Sequence, residues 1–166
     1  MHVLLTGSSG RVGSATLIYL LNKSYQVTAL DIVPLPPIVS SQIPEAQLPN
    51  LRAIVCDLTD YLALEAVFTT SPTPIEWIIH LSAIPDPLAL DGRTVHNNNV
   101  TSSYNVMRTG ADHGVRRMVQ ASSVNAPGLS YSPHGHQRFD ELPITEETPI
   151  RPVSPIHQGS TGSKLT

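Results

Sequence analysis

Thr6-Gly7-Ser8-Ser9-Gly10-Arg11-Val12-Gly13 separates a short apolar run, His2 to Thr6 (HVLLT), from a segment, Arg11 to Lys23, that sets Val12, Ala15, Thr16, Tyr19 and Leu20 at helical spacing. The order is strand, glycine loop, helix. Each glycine has a physical use in that setting: Gly7 for a tight turn, Gly10 for close approach of backbone to a pyrophosphate, Gly13 for close packing of helix on strand. Backbone N–H groups at a helix start complete an anion site. A plain flexible Gly/Ser turn is the competing reading of the same residues.

Working outward, Tyr25 to Asp31 (YQVTALD) is β-branched and apolar, and Asp31 ends it 18 residues past Gly13. A carboxylate there accepts hydrogen bonds from adenosine ribose hydroxyls and repels a 2′-phosphate, which favours NAD over NADP. Arg11 is the nearby cation that an NADP preference would use, and Asp31 also reads as a strand-end turn residue. The next segment holds Pro34, Pro36, Pro37, Pro44 and Pro49, so a long loop without helix or central strand is expected.

Beyond it, Leu51 to Cys56 (LRAIVC) predicts a third strand, Asp60 to Thr69 a short helix with Asp60 as N-cap, and Ile75 to Leu81 (IEWIIHL) a fourth strand. Residues from about Asp91 to His113 form the longest helical stretch, closed by Gly114, and Val115 to Ala121 (VRRMVQA) gives a fifth strand. Strand–helix alternation over residues 2 to 121 argues for a parallel sheet with helices on both faces, a doubly wound α/β fold. Residues 122–166, with Pro127, Pro133, Pro143, Pro149, Pro152 and Pro155 and no apolar period, are expected to be an irregular tail. The expected organisation is therefore a 1–121 nucleotide-binding domain and a 122–166 proline-rich tail.

Bulk properties narrow the partners. Ten basic against thirteen acidic residues, a net charge of −3, and no basic cluster give no field for nucleic acid or an anionic membrane. The one cysteine, Cys56, cannot form an intrachain disulfide, no basic apolar leader opens the chain, and an intracellular, cytoplasmic setting is expected. No apolar run approaches the ~20 residues of a membrane span.

Further stretches carry a family resemblance. Thr-Gly-x-x-Gly-x-x-Gly, Cys56-Asp57-Leu58-Thr59-Asp60, His80-Leu81-Ser82-Ala83, Asn99-Val100-Thr101-Ser102-Ser103-Tyr104-Asn105-Val106 and Val119-Gln120-Ala121-Ser122-Ser123-Val124-Asn125-Ala126-Pro127-Gly128 come in an order that resembles the extended short-chain dehydrogenase/reductases. This is the NAD-dependent epimerase/dehydratase group acting on nucleotide sugars and uronic acids. The resemblance implies a Rossmann sheet of order 3-2-1-4-5 and NAD as cofactor.

The resemblance also assigns roles. Gly7, Ser9, Gly10, Arg11, Val12 and Gly13 would hold the pyrophosphate. Asp57 would meet the adenine amino group and Leu58 the ring; capping of the next helix is the alternative for Asp57. Leu81, Ser82 and Ala83 would lie beside the cofactor, Asn99 near the nicotinamide end, and Ser122 in the serine turn. Ser123 would be the catalytic serine, although Ser122 and Ser123 also read as a polar turn. Ser102 and Ser103 replace the family's Gly-Thr, and Ala126-Pro127 stands where Val-Tyr is usual; the Asn-containing turn is similar to those of uronate-dehydrogenase-like members, which implies aldehyde-acid or hemiacetal oxidation rather than epimerisation. His80 has no second ligand at short spacing and is not expected to bind metal.

The family pattern fails after Pro155. A Tyr-x-x-x-Lys pair is due, but the chain reads Ile156-His157-Gln158-Gly159-Ser160-Thr161-Gly162-Ser163-Lys164-Leu165-Thr166. Aligning from Ser154-Pro155 puts Ile156 at the tyrosine and Ser160 at the lysine; aligning from Ser163-Lys164 keeps the lysine and puts Ser160 at the tyrosine. Neither supplies a phenol whose pKa a nearby ammonium could lower into a base. The expectation is a catalytically incomplete NAD-binding portion that lacks the C-terminal part of the family fold, with apolar surface left open and self-association possible. Three rivals stay open: a small active dehydrogenase using His157 or Lys164, a non-enzymatic NAD-binding module, and a metal site from His134, His136 and His157. In an intact relative the substrate would be a sugar or uronic acid.

Overall fold

Five strands alternate with helices in the computed structural model, which describes residues 1–86, 90–123, 126–127 and 142–150. The strands are β1 (His2–Thr6), β2 (Gln26–Asp31), β3 (Leu51–Val55), β4 (Trp77–His80) and β5 (Arg117–Gln120), and the helices α1 (Arg11–Asn22), α2 (Pro37–Ser40), α3 (Tyr61–Thr69) and α4 (Gly92–Asp112). All four pairings of these strands are parallel and the sheet order is β3-β2-β1-β4-β5. The order reverses between β1 and β4, which opens a crevice at the carboxyl ends of the strands.

Alternate residues of each strand face opposite sides of the sheet. Val3 and Leu5 of β1 pack with Val27 and Ala29 of β2 and with Leu17, Leu20 and Leu21 of α1. On the other face Leu4, Leu30 and Ile78 pack with Leu64, Val67 and Phe68 of α3 and Val106 of α4. Each fully buried leucine contributes about 1.5–3 kcal/mol as an upper bound, so these two clusters hold the helices on the sheet.

The buried face of α1 differs from the periodicity that predicted the helix. Gly13, Leu17, Leu20 and Leu21 are its buried residues, whereas Val12 and Tyr19 are 65% and 61% exposed. Two overlapping stripes lie on this helix, and Leu20 and Leu21 allow the sheet to select the leucine-rich one because it buries more apolar area.

Between β2 and β3 the expectation of a loop without helix is corrected. Pro37–Ser40 is a single helical turn with Pro37 in its first positions, and Glu45–Asn50 is a 3-10 turn preceded by Pro44. Proline lacks the N–H that a first turn leaves unpaired anyway, and its fixed φ suits that place, so prolines here start turns rather than prevent them.

Helix ends obey the sequence signals. The Asp60 carboxylate accepts the Ala63 N–H at 3.0 Å and caps α3, worth about 1 kcal/mol. Gly114, at φ +73, lies just past α4, where its N–H reaches the Ala111 carbonyl and the Val115 N–H the Gly110 carbonyl. Gly110 itself is where β4 and β5 meet α4: a Cβ there would stand 2.4 Å from Ile78 Cδ1 and 2.9 Å from Met118 Cε.

The chain divides into two compact units, Met1–Ala83 with Ser102–Ala121, and Ile84–Thr101 with Ser122–Thr166. The first contains the whole sheet, α1, α2, α3 and the second half of α4. The second groups the start of α4 with the serine turn and the rest of the C-terminal segment. Residues 142–150 contain no helix or strand.

Candidate cofactor-binding site

Gly7 turns out of β1 at φ +70, a left-handed conformation that carries little cost only without a Cβ. Space forbids one as well. A Cβ on Gly7 would stand 2.8 Å from the Ser82 nitrogen and 2.9 Å from the Leu81 carbonyl carbon, and one on Gly13 would stand 1.8 Å from the Gly7 carbonyl oxygen. Gly10 is looser, at 3.3 Å from the same oxygen. Turn, helix start and the end of β4 therefore meet backbone to backbone, with Leu81 and Ser82 against the glycine loop.

The first turn of α1 is open toward an anion. Gly10 is its N-cap, no side chain caps it, and no acid lies in its first turn. Arg11 and Val12 are exposed there. This is the arrangement in which unpaired N–H groups and the helix dipole accept a phosphate. The loop is held from behind: Ser8, almost fully buried, donates through both its N–H and its hydroxyl to the Leu30 carbonyl.

Asp31 closes the loop on the β2 side. Its Oδ2 accepts the Ser9 N–H at 2.9 Å and its Oδ1 the Val33 N–H at 3.3 Å, while the Ser9 hydroxyl donates to the Val33 and Pro34 carbonyls. The strand-end turn role and a ribose-binding role are thus compatible, since two carboxylate oxygens offer more lone pairs than two N–H groups use. Beside it a small cleft of about 110 Å³ is lined by Ser8, Val33, Leu35, Ile54 and Val55, among others.

After β3, the Asp57 Oδ1 accepts the Thr59 N–H and hydroxyl at 2.9 and 2.8 Å. Asp57 does not cap α3; Asp60 does, because the cap must stand one residue before Tyr61. Leu58 is only 5% exposed and belongs to the core cluster, so an adenine ring could reach no more than its edge. Sequence reasoning overlooked what fixes this turn: the Asn105 side chain on α4 donates to the carbonyls of Leu58 and Thr59 at 2.9 and 3.2 Å. Asn105 belongs to the family-like stretch of α4, but its reach across the fold leaves no local signal.

At the end of β4, His80 is 1% exposed and burial lowers its pKa to about 4. Its Nδ1 lies 2.6 Å from Thr6 Oγ1 and its Nε2 3.2 Å from Ser103 Oγ. Ser103, one of the two departures from the family's Gly-Thr, thus supplies the hydroxyl that a threonine would.

In the second unit, Asn99 pairs its amide with the backbone of Ile84, accepting the Ile84 N–H at 2.8 Å and donating to the Ile84 carbonyl at 3.2 Å. Ser123 opens a turn in which its carbonyl accepts the Ala126 N–H at 2.9 Å. Ser122 is exposed and Ser123 half-buried. Val124, Asn125, Gly128, His134, His136, Ile156, His157, Ser160 and Lys164 lie outside the described residues. Among the described residues no cluster of His, Cys, Asp and Glu could hold a metal, and no helix is long and apolar enough to cross a membrane.

The model of the family described as NAD dependent epimerase/dehydratase matches residues 3–156. UDP-arabinose 4-epimerase 1 of Arabidopsis thaliana is 31% identical over 163 residues, a match covering 93% of this chain and 35% of that protein. UDP-glucose 4-epimerase of Bacillus subtilis is 28% identical over 162 residues, covering 95% and 44%. Among solved structures, UDP-glucose 4-epimerase from Bifidobacterium longum in complex with NAD+ and UDP superposes with a TM-score of 0.79 at 26% identity, covering 99% of this chain and 47% of that one. The chain thus spans less than half the length of these relatives.

Proposed function

Because this chain belongs to the NAD dependent epimerase/dehydratase family, whose model matches residues 3–156, we propose that it is the NAD-binding portion of a nucleotide-sugar epimerase-type enzyme, catalytically incomplete as it stands. The observation that carries the reading is the backbone packing of Gly7, Gly13 and Ser82, which leaves no room for a single Cβ beside an uncapped helix start. Such a cradle lets the backbone approach a pyrophosphate closely.

In this reading the loop of Gly7, Ser9, Gly10, Arg11, Val12 and Gly13 holds the pyrophosphate through the N–H groups left open at the start of α1, those of Ser9 and Gly10 being already bonded to Asp31 and Gly7; Asp31 binds the adenosine ribose; Asp57 and the edge of Leu58 bind adenine; Leu81, Ser82 and Ala83 flank the cofactor. By the family resemblance alone, Asn99 and Ser122 are assigned to the nicotinamide end and Ser123 to the reacting oxygen of the substrate. NAD, when bound, supplies a hydride acceptor that returns the hydride in an epimerase and keeps it in a dehydrogenase. Nucleotide sugar is favoured over free uronic acid as the substrate of the complete enzyme, because the relatives named above are UDP-sugar 4-epimerases. A cytoplasmic setting belongs to the same proposal, supported by a lone buried thiol at Cys56.

Incompleteness is supported by the absence of a Tyr-x-x-x-Lys pair from residues 156–166, since general base catalysis is worth about two to four orders of magnitude in rate. The test is turnover on UDP-glucose, UDP-galactose, UDP-arabinose and a set of uronic acids, monitored by NADH absorbance and by product analysis. The chain should be silent, and fusion to the C-terminal portion of a relative should restore epimerisation. Turnover by the unmodified chain that Ser123→Ala abolishes would instead establish a small dehydrogenase.

A further inference from the structure

We propose that His80 is a positioning residue for the cofactor loop: through the Thr6 hydroxyl it holds the Leu81–Ser82 backbone against Gly7, with the Ser103 hydroxyl on α4 as the far anchor. The inference rests on the reading of the glycine loop as the NAD site.

The direction of every hydrogen bond comes from counting protons. Thr6 Oγ1 accepts the Ser82 N–H at 3.3 Å and shares the Leu81 N–H, at 3.2 Å, with the Thr6 backbone carbonyl at 3.3 Å. Its own proton is then directed to His80 Nδ1 at 2.6 Å, which must act as acceptor. The imidazole proton is left on Nε2 and donates to Ser103 Oγ at 3.2 Å, where the Gln120 side-chain amide also donates at 3.2 Å. The neutral Nε2–H tautomer gives every one of these partners a role. His80, 1% exposed, touches no ligand itself.

What the chain controls is a distance with no slack. A Cβ on Gly7 would lie only 2.8 Å from Ser82 N, so the turn at Gly7 and the end of β4 pack too closely for a side chain to fit between them. If the proton moved to His80 Nδ1, that nitrogen would compete with the Leu81 and Ser82 N–H groups for the Thr6 oxygen. The Ser82 backbone would then lift from Gly7, and the glycine loop would lose its support.

The experiment combines nitrogen-15 and carbon-13 NMR of the histidine rings with calorimetric NAD titration of the whole chain and four variants. The unmodified chain should show His80 as Nε2–H. Thr6→Ser and Ser103→Thr, which keep the hydroxyls, should bind NAD within about twofold of it, whereas Thr6→Val and Ser103→Ala should weaken binding about tenfold or more. Ser103→Ala should also move the His80 signals toward the Nδ1–H form, a change that a merely stabilising contact would not produce together with rescue by threonine. An Nδ1–H tautomer in the unmodified chain, or a folded Ser103→Ala that binds NAD as well as its parent, overturns the proposal. Should Thr6→Val fail to fold, the tautomer and the Ser103 pair decide. If the unmodified chain does not bind NAD at all, the reading of the loop falls, a result distinct from variants that all bind equally.

Discussion

Gly13 and Gly7 meet backbone to backbone, so close that a Cβ at position 13 would lie 1.8 Å from the Gly7 carbonyl oxygen. No rotamer change relieves a clash with backbone. Gly13→Ala should therefore lose about 3 kcal/mol or more of stability, at or above the upper end of ordinary overpacking. Gly10→Ala meets the same oxygen at 3.3 Å with φ −73, a conformation alanine adopts readily. It should cost less than about 1 kcal/mol yet weaken NAD binding, if the pyrophosphate approaches Gly10 as proposed. Urea unfolding of both variants checks the contrast; equal stability of Gly13→Ala and the parent would refute the packing argument.

His80 gives the chain a definite pH dependence. Burial holds its folded-state pKa at about 4, against 6.5 in the unfolded chain, and its contacts are the hydroxyls of Thr6 and Ser103. The pKa is lowered, so stability is fully present above pH 6.5 and falls as pH drops toward 4, where the unfolded chain binds a proton that the native one excludes. The loss amounts to about 3 kcal/mol across that window. His2, also lowered by burial, adds a slope of the same sign. Urea midpoints between pH 4 and 7 should show this slope, reduced in His80→Gln; an unchanged slope in that variant would mean that His80 is not the titrating group.

Much of this fold was legible because its signals are local. Strand β1 runs from His2 to Thr6 as the apolar run predicts, the alternation dictates a parallel sheet, and Asp60 and Gly114 mark helix ends through chemistry confined to one turn. Tertiary choices were not legible. Periodicity marks α1 as a helix but not which of two stripes meets the sheet, since Val12 and Tyr19 compete with Leu17 and Leu21 for the apolar face. Proline content predicts breaks but not that Pro37 and Pro44 would start turns. In the site, Asp31 and the glycines announce themselves by spacing. The Thr6–His80–Ser103 chain and the Asn105 clamp on Leu58 and Thr59 join residues up to 74 positions apart, and only the folded chain brings them together.

Apolar surface is left open on β5. Met118 packs toward α4, but Val119, paired in register with Ile79, is 62% exposed on the α1 side of the sheet, next to the half-buried Trp77 and Ile79. An edge strand with an uncovered apolar face invites association. The chain should sediment as concentration-dependent oligomers and bind a hydrophobic dye, and Val119→Lys should shift it toward monomer without lowering its melting temperature by more than a few degrees. A monomeric, dye-silent parent would show this face to be covered.

The most direct test of the account is a calorimetric titration of the folded 166-residue chain with NAD and, in parallel, with NADP. One saturable NAD site is expected, with weaker binding of NADP if the Asp31 carboxylate takes the ribose as proposed, and a narrowed difference in Asp31→Ala. Absence of NAD binding by a folded chain would contradict the assignment of the glycine loop, and equal affinity for both cofactors would remove Asp31 from its role.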